Sequence, residues 1–271
     1  MTVAARERLR LRLRVLFAAA CAWLVLLVES GAGGTHHLGG TPVGPAVAWL
    51  LMVTATMLPL LTAPLRHVRA RSFARRRTRS VTLFLAAYLA VWAAAGVPLV
   101  RVSVLGPQSG AAVLLVAVAV VVAWQCSPVK QRCLNRLHAH PPLAAFGTAA
   151  DLAALRFGST HAVWCVGSCW ALMLLPLLVG YGHLGVMCAV ALWLAAERLD
   201  DPQPLQWRLR GPRKVVRLVV AHLRRHIARS SGGRGRLGSD VMNPGRFVVA
   251  RRANGGVGRV PSSERHQSRR S

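Results

Sequence analysis

Long apolar segments alternate with polar connections along the first 200 residues of the chain. A helix needs roughly 20 residues to cross the hydrocarbon core of a bilayer. Three segments reach that length, and three shorter ones require flanking polar residues, little tilt or a locally thinner bilayer. We therefore predict an all-α, polytopic membrane protein with about six transmembrane helices. The predicted spans are residues 15–28, 43–61, 81–100, 111–124, 161–179 and 184–196.

Basic residues are concentrated in alternate connections, which orients the predicted spans. From the N-terminus onward, the polar segments carry five, zero, seven, one, four, zero and eighteen Lys or Arg residues. Because loops rich in Lys and Arg stay on the cytoplasmic side, this alternation predicts that both termini are cytoplasmic. In an alternative interpretation the first segment is a cleaved signal peptide, since it has a charged start and a short apolar core. The first segment has no A-x-A cleavage site, which counts against this alternative.

The composition changes after about residue 200, where the chain becomes strongly basic. We predict a transmembrane domain over residues 1–200, a cytoplasmic basic amphipathic segment over 201–229 and a disordered basic tail over 230–271. The apolar positions of residues 213–229 are typical of a helix lying in the membrane interface, and residues 141–157 are a second candidate for a surface helix. The net charge of +27 is explained by topology and by contact with anionic lipid headgroups, so it does not predict specific binding to nucleic acid.

Three sulfur-containing side chains share one face of the fifth predicted span. Cys165, Cys169 and Met173 are spaced four residues apart, and each step of four rotates by only about 40° around a helix with 3.6 residues per turn. Thiolate and thioether ligands select Cu(I), and thiolates also bind zinc. The stripe therefore predicts a soft-metal site for copper, with zinc less favoured. The alternative is that these side chains are ordinary packing residues.

Further candidate ligands are predicted at a similar depth in the membrane. The fifth span runs away from the cytoplasm, so Cys165 lies near its cytoplasmic end and could approach Cys126 and Cys133. The second span runs towards the cytoplasm, so Met57 arrives at a similar depth, with Met52 closer to the middle of the bilayer. Pro128 is expected to end or kink the fourth span. The remaining candidates in this region, on the cytoplasmic side, are Cys126, Cys133 and His138.

Acidic residues are too few and too dispersed to predict an enzyme. The chain has eight Asp and Glu residues, and Glu29, Asp151 and Glu197 all lie at segment ends. We therefore expect no buried carboxylate for a proton relay and no acid–base pair for catalysis. The chain also lacks the GxxxxGK[ST] loop of an ATPase.

Several sequence blocks between residues 45 and 200 resemble the bacterial predicted metal-binding integral membrane proteins, the family called domain of unknown function 2182. The matching residues are Trp49 to Met52, Ala55 to Pro59, Tyr88, Trp92, Gln125 to Lys130, Cys133, Leu134, Gly158, Cys165 to Met173, Gly180 and Glu197. The chain departs from that family's pattern at three positions, where Thr56, Ser168 and Leu137 replace expected soft ligands. His138 could compensate for one of them.

The resemblance implies a multi-pass protein of the bacterial cytoplasmic membrane that handles copper as a chaperone. On this hypothesis the chain binds Cu(I) and exchanges it with a copper-donating or copper-receiving protein. A second hypothesis is a structural or accessory membrane protein in which the sulfur atoms only pack. A third is a thiol-redox role for Cys165 and Cys169, for which the spacing of four residues on a helix gives poor disulfide geometry.

Overall fold

The computed structural model describes residues 3–31, 44–105, 110–179, 182–208 and 211–232. Within these ranges the chain is helical and contains no β-strand, so the predicted all-α class is confirmed. The helices are α1 (Val3–Gly31), α2 (Pro45–Met57), α3 (Thr62–Arg71), α4 (Arg77–Leu105), α5 (Gly110–Cys126), α6 (Pro128–Leu137), α7 (Gly147–Leu178), α8 (His183–Arg198) and α9 (Arg213–Gly232). Two short 3₁₀ segments, Leu58–Leu61 and Ala74–Arg76, adjoin α3.

Four helical stretches within the described residues are long and apolar enough to cross a membrane. A fifth crossing results if the bent pair α5 and α6 forms one span. The helix α8, at 16 residues, is shorter than the roughly 20 residues that a span requires. The sixth span and the cytoplasmic position of both termini therefore stay predictions. The four stretches are Ala5–Ser30, Pro45–Arg71, Ala74–Val102 and Gly147–Leu178.

The break between α5 and α6 lies where the sequence predicts it, at Pro128. Ser127 has an extended backbone conformation, and its hydroxyl accepts a hydrogen bond from the Val129 amide at 3.1 Å. A serine cap followed by proline is a favourable start for a helix. The two helices consequently meet at an angle of 62°.

A second proline divides the stretch formed by α2 and α3. Pro59 has no amide hydrogen, so it cannot donate to the carbonyl of Ala55 as a continuous α-helix would require. That carbonyl instead accepts a hydrogen bond from the indole of Trp23 on α1, at 3.2 Å. The chain passes through the 3₁₀ segment at this point, and Met57 is the last residue of α2.

The 32-residue helix α7 is central to the core, and its start differs from the prediction. Residues 141–145 are irregular, whereas Gly147 to Phe157 form the first turns of α7. The predicted surface helix over residues 141–157 is therefore wrong. Asp151, the one acidic residue of α7, forms ion pairs with Arg76 at 2.9 Å and with Arg79 at 2.7 Å. These two arginines neutralise its charge, so the apolar helix continues past Asp151 without a break.

The helices α4 and α7 pack closely through Gly158. A Cβ atom on Gly158 would collide with the carbonyl oxygen of Phe84. Phe84, Tyr88 and Trp92 lie on α4 and are fully buried, and the carbonyl of Trp92 accepts the indole hydrogen of Trp49 at 2.8 Å. This layer of aromatic side chains fixes α2, α4 and α7 around the predicted sulfur stripe.

The amphipathic segment predicted after residue 212 is a helix, α9, within the described residues. Its apolar side chains at Val216, Leu218, Val219, Val220 and Leu223 are exposed. A location in the membrane interface stays a prediction. Residues 233–271 of the predicted disordered tail lie outside the described residues.

We expect Gly158→Ala to lower the thermal unfolding midpoint of the detergent-solubilised protein. Overpacking of a close contact costs typically about 1–3 kcal/mol, which exceeds the gain of about 1 kcal/mol that alanine brings to a helix interior. Circular dichroism during heating measures the midpoint. Gly185→Ala is the matched control, because a Cβ there meets no atom within 4 Å. Equal midpoints for the two variants would contradict the close packing of α4 and α7.

Candidate metal centre

The thiol of Cys165 lies at the junction of α7 with three other helices. Its sulfur is 3.9 Å from the thioether sulfur of Met57 on α2 and 3.1 Å from the hydroxyl of Tyr88 on α4. A guanidinium nitrogen of Arg198, at the end of α8, donates to the same sulfur at 3.1 Å. Cys165 and Met57 are 1% and 0% exposed, so water is excluded from this contact.

Cys169 follows one turn later on α7 and lies beside Cys165. Its thiol donates a hydrogen bond to the carbonyl oxygen of Cys165 at 2.9 Å, and the side chains of the two cysteines also interact with one another. Both cysteines are reduced and buried. The structure therefore brings two thiols and one thioether together, from two different helices.

The spacing of these sulfur atoms is suited to a soft metal ion. Two sulfur ligands, each about 2.3 Å from a shared ion and separated by an angle of 120°, would lie about 4.0 Å apart. The observed separation of Cys165 and Met57 is 3.9 Å. Among the described residues, no three His, Cys, Asp or Glu side chains form a group that could hold a metal. A three-ligand centre at Cys165 consequently has to include the thioether.

The two other methionines predicted as ligands are buried near this cluster on the same helices. Met173 is 0% exposed and lies on the α7 stripe, at about 12 Å along the helix axis from Cys165 at a rise of 1.5 Å per residue. Met52 is also buried and precedes Met57 by about 7.5 Å along α2 by the same rise. The assignment of either side chain as a ligand stays a prediction.

The candidates of the α5–α6 region lie apart from the stripe. Cys133 packs against α7 at Gly167, where an added Cβ would lie 2.7 Å from the Cys133 sulfur. Gly167 is two residues beyond Cys165, which corresponds to a rotation of about 200° around the helix. His138 is exposed at the end of α6, and Cys126 is half-buried at the end of α5. Their roles as ligands stay predictions.

The substituted positions Thr56 and Ser168 point back to their own helices. The hydroxyl of Thr56 donates to the carbonyl of Met52 at 2.8 Å, and that of Ser168 donates to the carbonyl of Cys165 at 2.8 Å. Both side chains are buried and already hydrogen-bonded. At each of these two adjacent pairs, Thr56-Met57 and Ser168-Cys169, the second residue is therefore the one that supplies a sulfur atom.

Residues 46–220 match the family model described as PpoB2, copper chaperone. The chain belongs to the PpoB2 copper chaperone family. The matched region contains Cys165, Cys169 and Met57 together with every other ligand predicted from the sequence. No curated protein and no solved structure matches the chain. Membership of this family supports a copper-related role and a role other than catalysis.

A buried ion pair lies close to the sulfur cluster and was not predicted. Lys130 on α6 donates to both carboxylate oxygens of Glu197 on α8, at 2.6 and 2.8 Å. The side chains of Gln125 and Trp193 also hydrogen-bond to Glu197, at 3.1 and 2.8 Å. The expectation of no buried carboxylate is therefore wrong for Glu197, because its position at a helix end does not prevent burial against α6.

Arg198 and Tyr88 are the neighbours of Cys165 that reasoning from the sequence missed. In the sequence, Arg198 is one of eighteen basic residues that follow the last apolar segment, and Tyr88 is one of the positions that match the resembled family. The pair of adjacent ionisable residues at the end of an apolar segment, Glu197 and Arg198, is the one sequence signal that could have indicated them. Ionisable residues in or beside apolar spans often mark functional sites.

His161 is the first residue of the predicted fifth span, but it does not lie at the end of a helix. It is 4% exposed and lies against the aromatic rings of Phe84, Tyr88 and Phe157. Within the described part of the chain its Nε2 atom has no hydrogen-bond partner. The α7 helix extends well beyond the predicted span, and this extension places His161 in the core.

Removing either partner of the buried ion pair is expected to destabilise the protein strongly. Lys130→Met or Glu197→Gln should each lower the unfolding free energy by about 3–5 kcal/mol, since one buried charge is left without its partner. Denaturant titration of the detergent-solubilised variants measures this loss. Lys214→Met is the control, because Lys214 pairs with an exposed carboxylate, Asp201. A loss no larger than that of the control would contradict the structural role of the pair.

Proposed function

We propose that the chain is an integral membrane protein that binds one Cu(I) ion between Cys165, Cys169 and Met57. The observation that carries this proposal is the 3.9 Å contact between the sulfur atoms of Cys165 and Met57, which lie on different helices in a dry interior. Thiolate and thioether ligands prefer Cu(I) to harder ions. Membership of the copper chaperone family supports the same metal.

Three sulfur ligands also favour Cu(I) over zinc. Zinc in structural sites takes four ligands in a tetrahedral arrangement, and the cluster offers two thiols and one thioether. Thr56 and Ser168 offer only neutral hydroxyls, which are not among the Cys, His and carboxylate ligands that zinc takes in proteins. Zinc is accordingly the weaker candidate.

The ion is proposed to leave by exchange of sulfur ligands towards a copper-receiving protein. Met173 continues the stripe one turn beyond Cys169 and is buried with it, so it supplies the next thioether along α7. Stepwise exchange between neighbouring sulfur atoms keeps the ion coordinated while it moves. Each metal-binding thiol has to lose its proton on binding and regain it on release.

The proposed location is the bacterial cytoplasmic membrane, with basic connections facing anionic lipid. The last turn of α3 and the 3₁₀ segment after it carry Arg69, Arg71 and Arg75, and each basic residue near an anionic surface contributes about 1 kcal/mol of attraction. The alternative is an accessory membrane protein in which the sulfur atoms only pack. Copper content separates the two.

We expect the purified protein to hold about one copper per chain after loading with Cu(I) under reducing conditions, and Cys165→Ser and Cys169→Ser each to lose it. Serine removes a soft ligand and leaves a hard oxygen in its place. Mass spectrometry of metal content provides the measurement. Cys188→Ser is the matched control, because Cys188 is an exposed thiol on α8. Equal copper in all four proteins, or none in any, would favour the accessory function.

The thioether is expected to contribute one sulfur ligand to bound copper. Met57→Leu is close to volume-conserving and should cost less than 1.5 kcal/mol of stability, yet the number of sulfur neighbours of copper should fall from three to two. X-ray absorption spectroscopy of the copper-loaded protein counts these neighbours. Met187→Leu, at another buried methionine of the core, is the control. Three sulfur neighbours in the Met57 variant would exclude Met57 as a ligand.

A further inference from the structure

The guanidinium of Arg198 is a partly buried cation that faces the proposed ligands. It donates to the sulfur of Cys165 at 3.1 Å, and the hydroxyl of Tyr88 contacts the same sulfur. Within the described residues, no carboxylate lies within 4.0 Å of it. The nearest acid in sequence, Glu197, is already bound to Lys130.

The charges around the sulfur cluster can be counted from these contacts. Lys130 forms a closed ion pair with Glu197, the residue next to Arg198, and the two charges cancel one another. Tyr88 supplies a neutral hydroxyl, and Met57 supplies a neutral thioether. Arg198 therefore contributes one positive charge that the neighbouring side chains do not balance. An unbalanced charge that is partly removed from water is unfavourable.

The balance depends on the charge of the metal. Two cysteine ligands bind as thiolates and together carry two negative charges. With a monovalent ion they leave one negative charge, which the guanidinium of Arg198 cancels. With a divalent ion the two thiolates are already neutralised, and the charge of Arg198 remains unbalanced. The same two cysteines thus give a neutral cluster with Cu(I) and a positive cluster with Zn²⁺.

We propose that Arg198 determines the specificity of the site for a monovalent metal ion over a divalent one. This inference rests on the proposed function, because it takes Cys165 and Cys169 as the thiolate ligands. Arg198 acts as a positioning residue, since it contacts a ligand and not the ion. Arginine suits this role because its guanidinium stays protonated and is less strongly hydrated than an ammonium group.

The test is the ratio of Cu(I) affinity to Zn²⁺ affinity in the full-length detergent-solubilised protein. Both affinities are measured by competition with chromophoric chelators, for the unmodified protein and for Arg198→Gln. We expect the ratio to fall by about tenfold or more in the variant, because truncating one partner of a buried charge pair changes affinity by at least that much. Arg198→Lys, which keeps the charge, should retain most of the preference for Cu(I).

Arg208→Gln is the matched control, because Arg208 is exposed and its contact with Cys126 is made by the backbone amide. An unchanged ratio in Arg198→Gln, with copper still bound through the two cysteines, would overturn the inference and leave the proposed function intact. Absence of copper from the unmodified protein would overturn both. If Arg198→Gln does not fold, Arg198→Met keeps the length of the apolar stem and carries the same test with the same two outcomes.

Discussion

The ion pair between Lys130 and Glu197 is the interaction on which the geometry of the candidate metal centre depends. It ties the end of α8 to the start of α6 through two short hydrogen bonds, and Arg198 is the next residue along α8. A buried pair of this kind adds little net stability compared with apolar packing. Its effect here is positional, because the backbone at Glu197 directs the guanidinium of Arg198 to the sulfur of Cys165.

The second constraint is the break in α2, which determines where the thioether lies. Pro59 releases the carbonyl of Ala55, and Trp23 satisfies it, so the chain can change to a 3₁₀ segment without leaving a buried acceptor unpaired. Met57 is the last α-helical residue before that change. A single proline, together with one indole from α1, thereby fixes the depth at which Met57 meets Cys165.

Periodicity in the sequence was sufficient to predict the parts of the fold and site that lie within one helix. The long apolar segments predict the helical stretches that can cross a membrane, and the spacing of four residues places Cys165 and Cys169 side by side. Opposite directions of the second and fifth spans also predict a similar depth for Met57 and Cys165, although not their contact. These predictions depend on helix geometry and chain direction, which are local properties of the sequence.

The same reasoning failed at Glu197 and His161, whose burial depends on side chains that are distant in the sequence or outside the predicted span. Periodicity shows that Glu197 ends an apolar segment, but its burial is determined by Lys130, which lies 67 residues away. The predicted fifth span begins at His161, whereas α7 begins at Gly147, and aromatic rings surround this histidine. The number of spans could not be read from the sequence for a similar reason. The short helix α8 is fixed by the contacts of Glu197 with Lys130 and of Arg198 with Cys165, as well as by its hydropathy.

The small number of sulfur ligands is consistent with a protein that has to release its metal. A closed tetrahedral site holds zinc as part of the folded structure, whereas an ion with three ligands has an open position through which an incoming ligand can attack. On the proposed function, Thr56 and Ser168 leave that position open, because a neutral hydroxyl is a hard oxygen donor that suits Cu(I) poorly. Their side chains also occupy little volume beside Met57 and Cys169. On the proposed function, the substitutions that remove soft ligands from this chain therefore favour exchange of copper over storage.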